Sequence, residues 1–161
     1  MPEDTQPSPA VPHSCSLRLW REDLAHCTYF ITCCTDSREP LLSHDGVAEV
    51  VCDTLRFADE QSWVMVFGYV IMPDHWHVIW KLGLQKTLAS VMQSAKRWSG
   101  RRINEALGRS GRVWQDGYYE HLIRDYEDFE GSANYMAMNP VRRGLADRPG
   151  EYRWCSVNGL K

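Results

Sequence analysis

His75 and His77 stand one residue apart in the stretch Met72-Pro73-Asp74-His75-Trp76-His77-Val78-Ile79-Trp80. In an extended strand, residues i and i+2 project to the same face. The two imidazoles would then sit side by side, with Trp76 turned to the opposite face. Paired imidazoles can share one divalent cation. They suit transition metals, whereas Mg2+ or Mn2+ also asks for oxygen partners. A strand that carries two histidines for packing alone is spelled the same way, so the pair leaves both readings open.

The missing partners come from Asn134-Tyr135-Met136-Ala137-Met138-Asn139-Pro140. Residues four apart on a helix share a face, so Tyr135 and Asn139 would present a phenol and an amide oxygen together. Set beside the histidine strand, Asn139 is a candidate third ligand and Tyr135 a candidate nucleophile. A phenol has an ordinary pKa of about 10, so a cation next to the attacked phosphate would assist it. Tyr118, Tyr119, Tyr126 and Tyr152 are rival nucleophiles. Met136 and Met138 read as helix packing.

These groups need elements to position them. Residues 27–34 are rich in aromatic and β-branched side chains and read as a strand. Residues 44–58 carry Val47, Val50, Val51, Leu55 and Ala58 at helical spacing. The apolar run 62–72 suits a central strand. A turn at Pro73-Asp74 would pair it with a strand over 75–81. Residues 85–107 read as a long helix with Thr87 or a neighbour at its cap and Leu88, Val91, Met92, Ala95, Trp98 and Ile103 as its apolar stripe. Gly108 and Gly111 break it. Residues 113–123 read as an extended segment with an internal turn. A helix over 126–138 is expected to end at Asn139-Pro140. The order β-α-β-β-α-β-α is an α+β, ferredoxin-like (RRM-like) split βαβ arrangement: an antiparallel sheet, helices on one face and a further C-terminal helix. Residues 1–16 hold four prolines and read as a disordered leader, and residues 17–161 as a single domain.

Net charge is −3, so overall charge alone does not point to nucleic acid. Its distribution does: Lys96, Arg97, Arg101, Arg102, Arg109 and Arg112 oppose the lone anion Glu105 over residues 96–112. That is a candidate phosphate-contact patch, the alternative being a solvated helix face. No run approaches the roughly 18 apolar residues of a membrane span. With no export signal, the six cysteines are expected to be reduced and mostly buried, in the cytoplasm. Their spacing also argues against a zinc site.

Three motifs in order, His75-Trp76-His77 after Met72-Pro73-Asp74, then Trp114-Gln115 with Tyr119-Glu120-His121 and Ile123-Arg124, then Tyr135 with Asn139-Pro140-Val141-Arg142 and Gly144-Leu145, resemble the HUH single-tyrosine transposases. The REP-associated tyrosine transposases of bacteria are the group most similar. The resemblance runs from about Tyr29 to Trp154 and implies the same ferredoxin-like fold. It implies that His75, His77 and Asn139 hold Mg2+ or Mn2+. It also implies that Tyr135 attacks single-stranded, hairpin-forming DNA, leaving a 5′-phosphotyrosine and a 3′-hydroxyl without ATP. Trp76 departs from the smaller residue expected at its position. His121 and Arg124 fall in the second motif, with DNA contact or a strand-edge hydrogen bond as their two readings. The resemblance further implies a monomer, with a homodimer as the alternative, in the bacterial cytoplasm near the nucleoid. A hairpin-binding protein without cleavage activity is the alternative.

Overall fold

The structure, a computed structural model, describes residues 26–157. The proline-rich leader and Cys15 lie outside them. The elements are β1 (Thr28–Cys34), α1 (Asp45–Glu60), β2 (Val64–Met72), β3 (His75–Leu82), α2 (Leu88–Leu107), β4 (Tyr119–Ile123) and α3 (Tyr126–Arg142). Two short 3₁₀ turns fall between β1 and α1. The sheet order is β2-β3-β1-β4, every neighbour antiparallel. This is the split βαβ arrangement expected from the element order: each βαβ unit leaves a gap that a strand of the other unit fills.

Alternation along the strands divides the core in two. Tyr29, Ile31 and Cys33 of β1, with Trp76, Val78 and Trp80 of β3, face α1 and α2. Val47, Val51 and Leu55 of α1 and Leu88, Val91 and Met92 of α2 cover them. Phe30, Val70, Met72 and Ile79 face the other way, against Ala133, Met136 and Ala137 of α3. Trp76 enters the first core with the pairing of β3 unbroken around it on both sides, its ring edge-on to Trp114 at 6.4 Å. The helices α1 and α2 thus share one face, and α3 takes the opposite one. No described helix is long and apolar enough to cross a membrane.

Two helix boundaries differ by three residues or more from the sequence expectation. The long helix begins at Leu88 rather than Gln85, because Thr87 caps it: its Oγ1 accepts the Ser90 N–H at 3.1 Å. The 113–123 segment is a strand only over Tyr119–Ile123, although Trp114 adds an isolated bridge to Thr35. Helix α3 does not end at Asn139-Pro140 but runs through to Arg142. Proline cannot donate to the carbonyl four residues back, yet this happens in the last turn. There Arg143 N–H bonds Asn139 O and Leu145 N–H bonds Pro140 O. Asn139 is buried and held helical by its own side-chain contact. Trp98, expected in the apolar stripe of α2, is 45% exposed instead.

Behind Met72 the chain's later part braces β2. Trp154 O accepts the Ile71 N–H at 2.9 Å, and Tyr69 O accepts the Ser156 N–H at 2.9 Å. This close approach requires Gly68, where a Cβ would lie 2.9 Å from the Val157 side chain. Among the described residues Cys27, Cys33, Cys34, Cys52 and Cys155 are free thiols, and only Cys33 and Cys52 are buried, fewer than the mostly buried set expected.

Candidate active site

Pro73 and Asp74 form a two-residue turn, so Met72 pairs with His75 and Val70 with His77. The pleat aims both histidines at α3. Their rings sit 4.7 Å apart at 74° and both side chains are buried. Sheet register places Thr32 of β1 directly opposite His77, and Thr32 Oγ1 meets His77 Nδ1 at 2.8 Å. Phe30 stacks on the same imidazole at 5.1 Å.

Helix α3 closes the site from above. Asn139 Nδ2 donates to His77 Nε2 at 2.9 Å. With Nε2 accepting, the His77 proton lies on Nδ1 and is donated to Thr32. Burial holds the His77 pKa well below its ordinary value, and the charges of His75, Arg38 and Arg142 push it further the same way. His77 is therefore neutral near pH 7, with a lone pair on Nε2. One turn before Asn139 on the helix, Tyr135 presents its ring edge to His77 at 5.5 Å and to Phe30 at 6.0 Å. Tyr135 remains half exposed. The Arg142 guanidinium lies 4.5 Å over that ring and bonds Tyr135 O at 3.0 Å.

His75 has a different companion. Its Nδ1–H donates to Asp74 Oδ1 at 2.7 Å, which leaves Nε2 as its lone-pair nitrogen. Asp74 also meets Arg143 Nη2 at 3.2 Å and Arg38 Nη1 at 3.5 Å. Burial alone would raise the Asp74 pKa. The His75 hydrogen bond, with the charges of His75, Arg38 and Arg143, outweighs it and holds the carboxyl below its ordinary value.

Do these groups suit a divalent cation? Both imidazoles have Nδ1 anchored, as metal-ligating histidines do, and the Nε2 of His77 accepts from Asn139 Nδ2. The third donor is the Asn139 amide, whose oxygen would face the cation after a half-turn of the amide. Among the described residues no group of three or more His, Cys, Asp or Glu side chains is placed to hold a metal ion. The amide oxygen therefore decides whether the set has three donors. Two nitrogens and one oxygen fit Mn2+ more readily than Mg2+, which prefers oxygen ligands throughout. The cysteine-bound zinc alternative finds no such cluster in the described residues.

The other predicted residues lie elsewhere. Helix α2 is on the far face of the sheet, so its cations do not join the histidines and Tyr135. Lys96 Nζ binds Gly117 O at 2.9 Å and also Gln115 O, an internal strut. Arg101 pairs with Glu105 at 2.9 Å, Arg112 with Asp116 at 3.0 Å and Arg109 with Glu39 at 3.6 Å. Arg97 and Arg102 are exposed, the latter 5.7 Å over the Trp98 ring. A cavity of about 290 Å3 between α1 and α2 also lies on this far face, lined by Phe57, Trp63, Trp98 and Arg97 among others. His121 is bound to the Asp128 carboxylate at 2.8 Å, the strand-edge hydrogen bond of its second reading. Arg124 gives its backbone N–H to the same carboxylate, while its side chain is exposed. Among the rival tyrosines, Tyr119 and Tyr126 are exposed on β4 and at the start of α3.

Sequence reading assigned no role to Thr32, Asp74, Arg38 or Arg143. The signals available were an acid adjoining the histidine pair at a turn and the Arg142-Arg143 doublet after the proline. Neither says which distant segment it will meet.

Residues 23–135 match the model of a family described as "Transposase IS200 like". An uncharacterized protein of Haemophilus influenzae is 26% identical over 148 residues, covering 70% of this chain and 79% of its own length. A REP-associated tyrosine transposase of Escherichia coli is 30% identical over 79 residues, 48% of this chain and 44% of its own. The alignment thus spans less than half of that relative. Among solved structures, a REP-associated tyrosine transposase bound to a REP hairpin superposes with a TM-score of 0.69 at 22% identity. That match covers 84% of this chain and 79% of the other, and it is a likeness of fold.

Proposed function

We propose, since the chain belongs to the IS200-like transposase family, that it cuts and rejoins single-stranded DNA with Tyr135 as nucleophile. The observation that carries this reading is the meeting of Tyr135, His77 and Asn139 across the sheet–helix boundary, from segments far apart in sequence. The solved relative holds a REP hairpin, which makes hairpin-forming repeat DNA the substrate class proposed here.

In this reading the Tyr135 oxygen attacks a backbone phosphorus and its proton passes to solvent. A bond forms between that oxygen and phosphorus, and the bond from phosphorus to the 3′ oxygen breaks. The electron pair stays on the 3′ oxygen, which is protonated to a free 3′-hydroxyl. The 5′ end remains joined to the enzyme as a phosphotyrosine ester. The ester conserves the energy of the broken bond, so a 3′-hydroxyl can reverse the step without ATP. His75, His77 and Asn139 would hold Mg2+ or Mn2+, which supplies charge to polarise the phosphate. Thr32 and Asp74 keep the two imidazoles in the tautomer that leaves Nε2 free. Phe30 packs against the Tyr135 ring at 6.0 Å, and Tyr135 stays half exposed.

The test is a covalent adduct that survives SDS, formed with hairpin oligonucleotides taken from the repeats flanking the gene and added Mn2+. Tyr135→Phe is expected to abolish the adduct and to bind the same DNA with near wild-type affinity. No adduct with wild-type protein across a broad set of such hairpins would overturn the cutting activity. Loss on Tyr119→Phe, with Tyr135→Phe still active, would move the nucleophile.

A further inference from the structure

We infer that Arg38 and Arg143 form a clamp for a backbone phosphate of the DNA, and that Asp74 occupies this clamp in the free protein. This rests on the DNA reading above and locates the contact residues that the basic helix does not supply.

Arg38 follows β1 and Arg143 follows α3, so two distant segments bring guanidinium groups to one carboxylate beside His75. The contacts of Asp74 are unequal. His75 Nδ1 is at 2.7 Å, whereas Arg143 is at 3.2 and 3.4 Å and Arg38 at 3.5 Å. The Arg38 and Arg143 side chains are 36% and 43% exposed, so their ion pairs with Asp74 are long, wet and weak. A guanidinium presents a planar fork of donors that matches two phosphate oxygens better than a shared carboxylate edge. A phosphate can therefore take both arginines from Asp74 while the short His75 bond persists. Asp74 itself is 15% exposed and lies between the guanidiniums and His75, which puts the clamped phosphate at the mouth of the site. Arg142 stays over the Tyr135 ring and is not needed for the clamp.

Among the basic residues of 96–112, Lys96 is held by two loop carbonyls, and α2 packs on the face of the sheet away from Tyr135.

The experiment measures binding of a fluorescent hairpin oligonucleotide with a single-stranded tail, in EDTA so that no chemistry occurs, across about 50–200 mM salt. Each phosphate contact to a single strand contributes about −0.7 to the slope of log affinity on log salt. Arg38→Ala and Arg143→Ala are each expected to flatten the slope by about that amount and to weaken binding about fivefold at low salt. Arg38→Lys and Arg143→Lys, which keep the charge, should restore most of the slope but not the full affinity. Asp74→Asn, which releases the pair, should tighten binding. Wild-type slopes in both alanine variants, with flattening in Arg97→Ala or Arg102→Ala instead, would overturn the clamp. The adduct assay separates the two failures. An adduct with unchanged slopes removes the clamp and leaves the cutting activity. Flattened slopes without any wild-type adduct remove the activity and leave the clamp.

Discussion

Replacing Asn139 by alanine separates the two roles its amide can play. The side chain is 6% exposed and its hydrogen-bond partner His77 is 4% exposed. Truncation removes a contact at 2.9 Å and leaves His77 Nε2 without a partner in a buried site. An unsatisfied buried polar group costs about 1–3 kcal/mol, and the small void left behind adds up to about 1 kcal/mol. A total near 2–3 kcal/mol lowers the melting temperature by roughly 4–12 °C, at about 2–4 °C per kcal/mol for a chain of this size. Calorimetry without metal reads this first effect. The second is read by titrating Mn2+ into wild-type and variant protein. Loss of one of three protein donors is expected to weaken binding by at least about tenfold. Asn139→Asp, which offers a charged oxygen in the same place, should strengthen Mn2+ binding instead. Wild-type Mn2+ affinity in Asn139→Ala, beside the expected loss of stability, would refute the third-ligand assignment. The amide would then be a clasp for the imidazole and nothing more.

Lys96→Ala should act on stability rather than on DNA. It strips Nζ from two loop carbonyls, so the melting temperature falls by several degrees while the salt slope of oligonucleotide binding stays at its wild-type value. Gly108 ends α2 at φ +59° with open space where a Cβ would go. Gly108→Ala thus costs only backbone strain, about 1 kcal/mol in urea unfolding. The Asp128 carboxyl is held below its ordinary pKa by the His121 hydrogen bond first, then by the Arg124 backbone N–H. A pKa lowered on folding stabilises at pH above the unfolded value, and this contribution disappears as pH falls through the folded value. Urea unfolding from pH 6 downward should show wild type more stable than Asp128→Asn at the top of that range and the gap closing in acid. No gap at pH 6, or a gap that fails to close in acid, would show that the ionised carboxyl does not stabilise the fold.

Much of this site is local and therefore readable in order along the chain. Period two in β3 decides that His75 and His77 share a face and that Trp76 opposes them. The i, i+4 relation in α3 decides that Tyr135 and Asn139 travel together. The Pro73-Asp74 turn, the Thr87 cap and the Gly108 stop are likewise short-range chemistry. Pro140 misled because its effect on a helix depends on position, and a buried side-chain contact at Asn139 keeps the last turn intact.

What tertiary structure alone decided is which face each helix covers and which distant cations arrive at the histidines. Amphipathic spacing says that α2 has an apolar stripe, but any sheet face of suitable shape would satisfy it. Packing against Trp76 and Trp80 sends α2, with its basic residues, to the side away from Tyr135. The same packing leaves the other face to α3 and so carries Arg143 to an aspartate 69 residues earlier. Hydrophobic burial is non-directional along the sequence, so no pattern of residues within one segment reveals the partner it will meet in another.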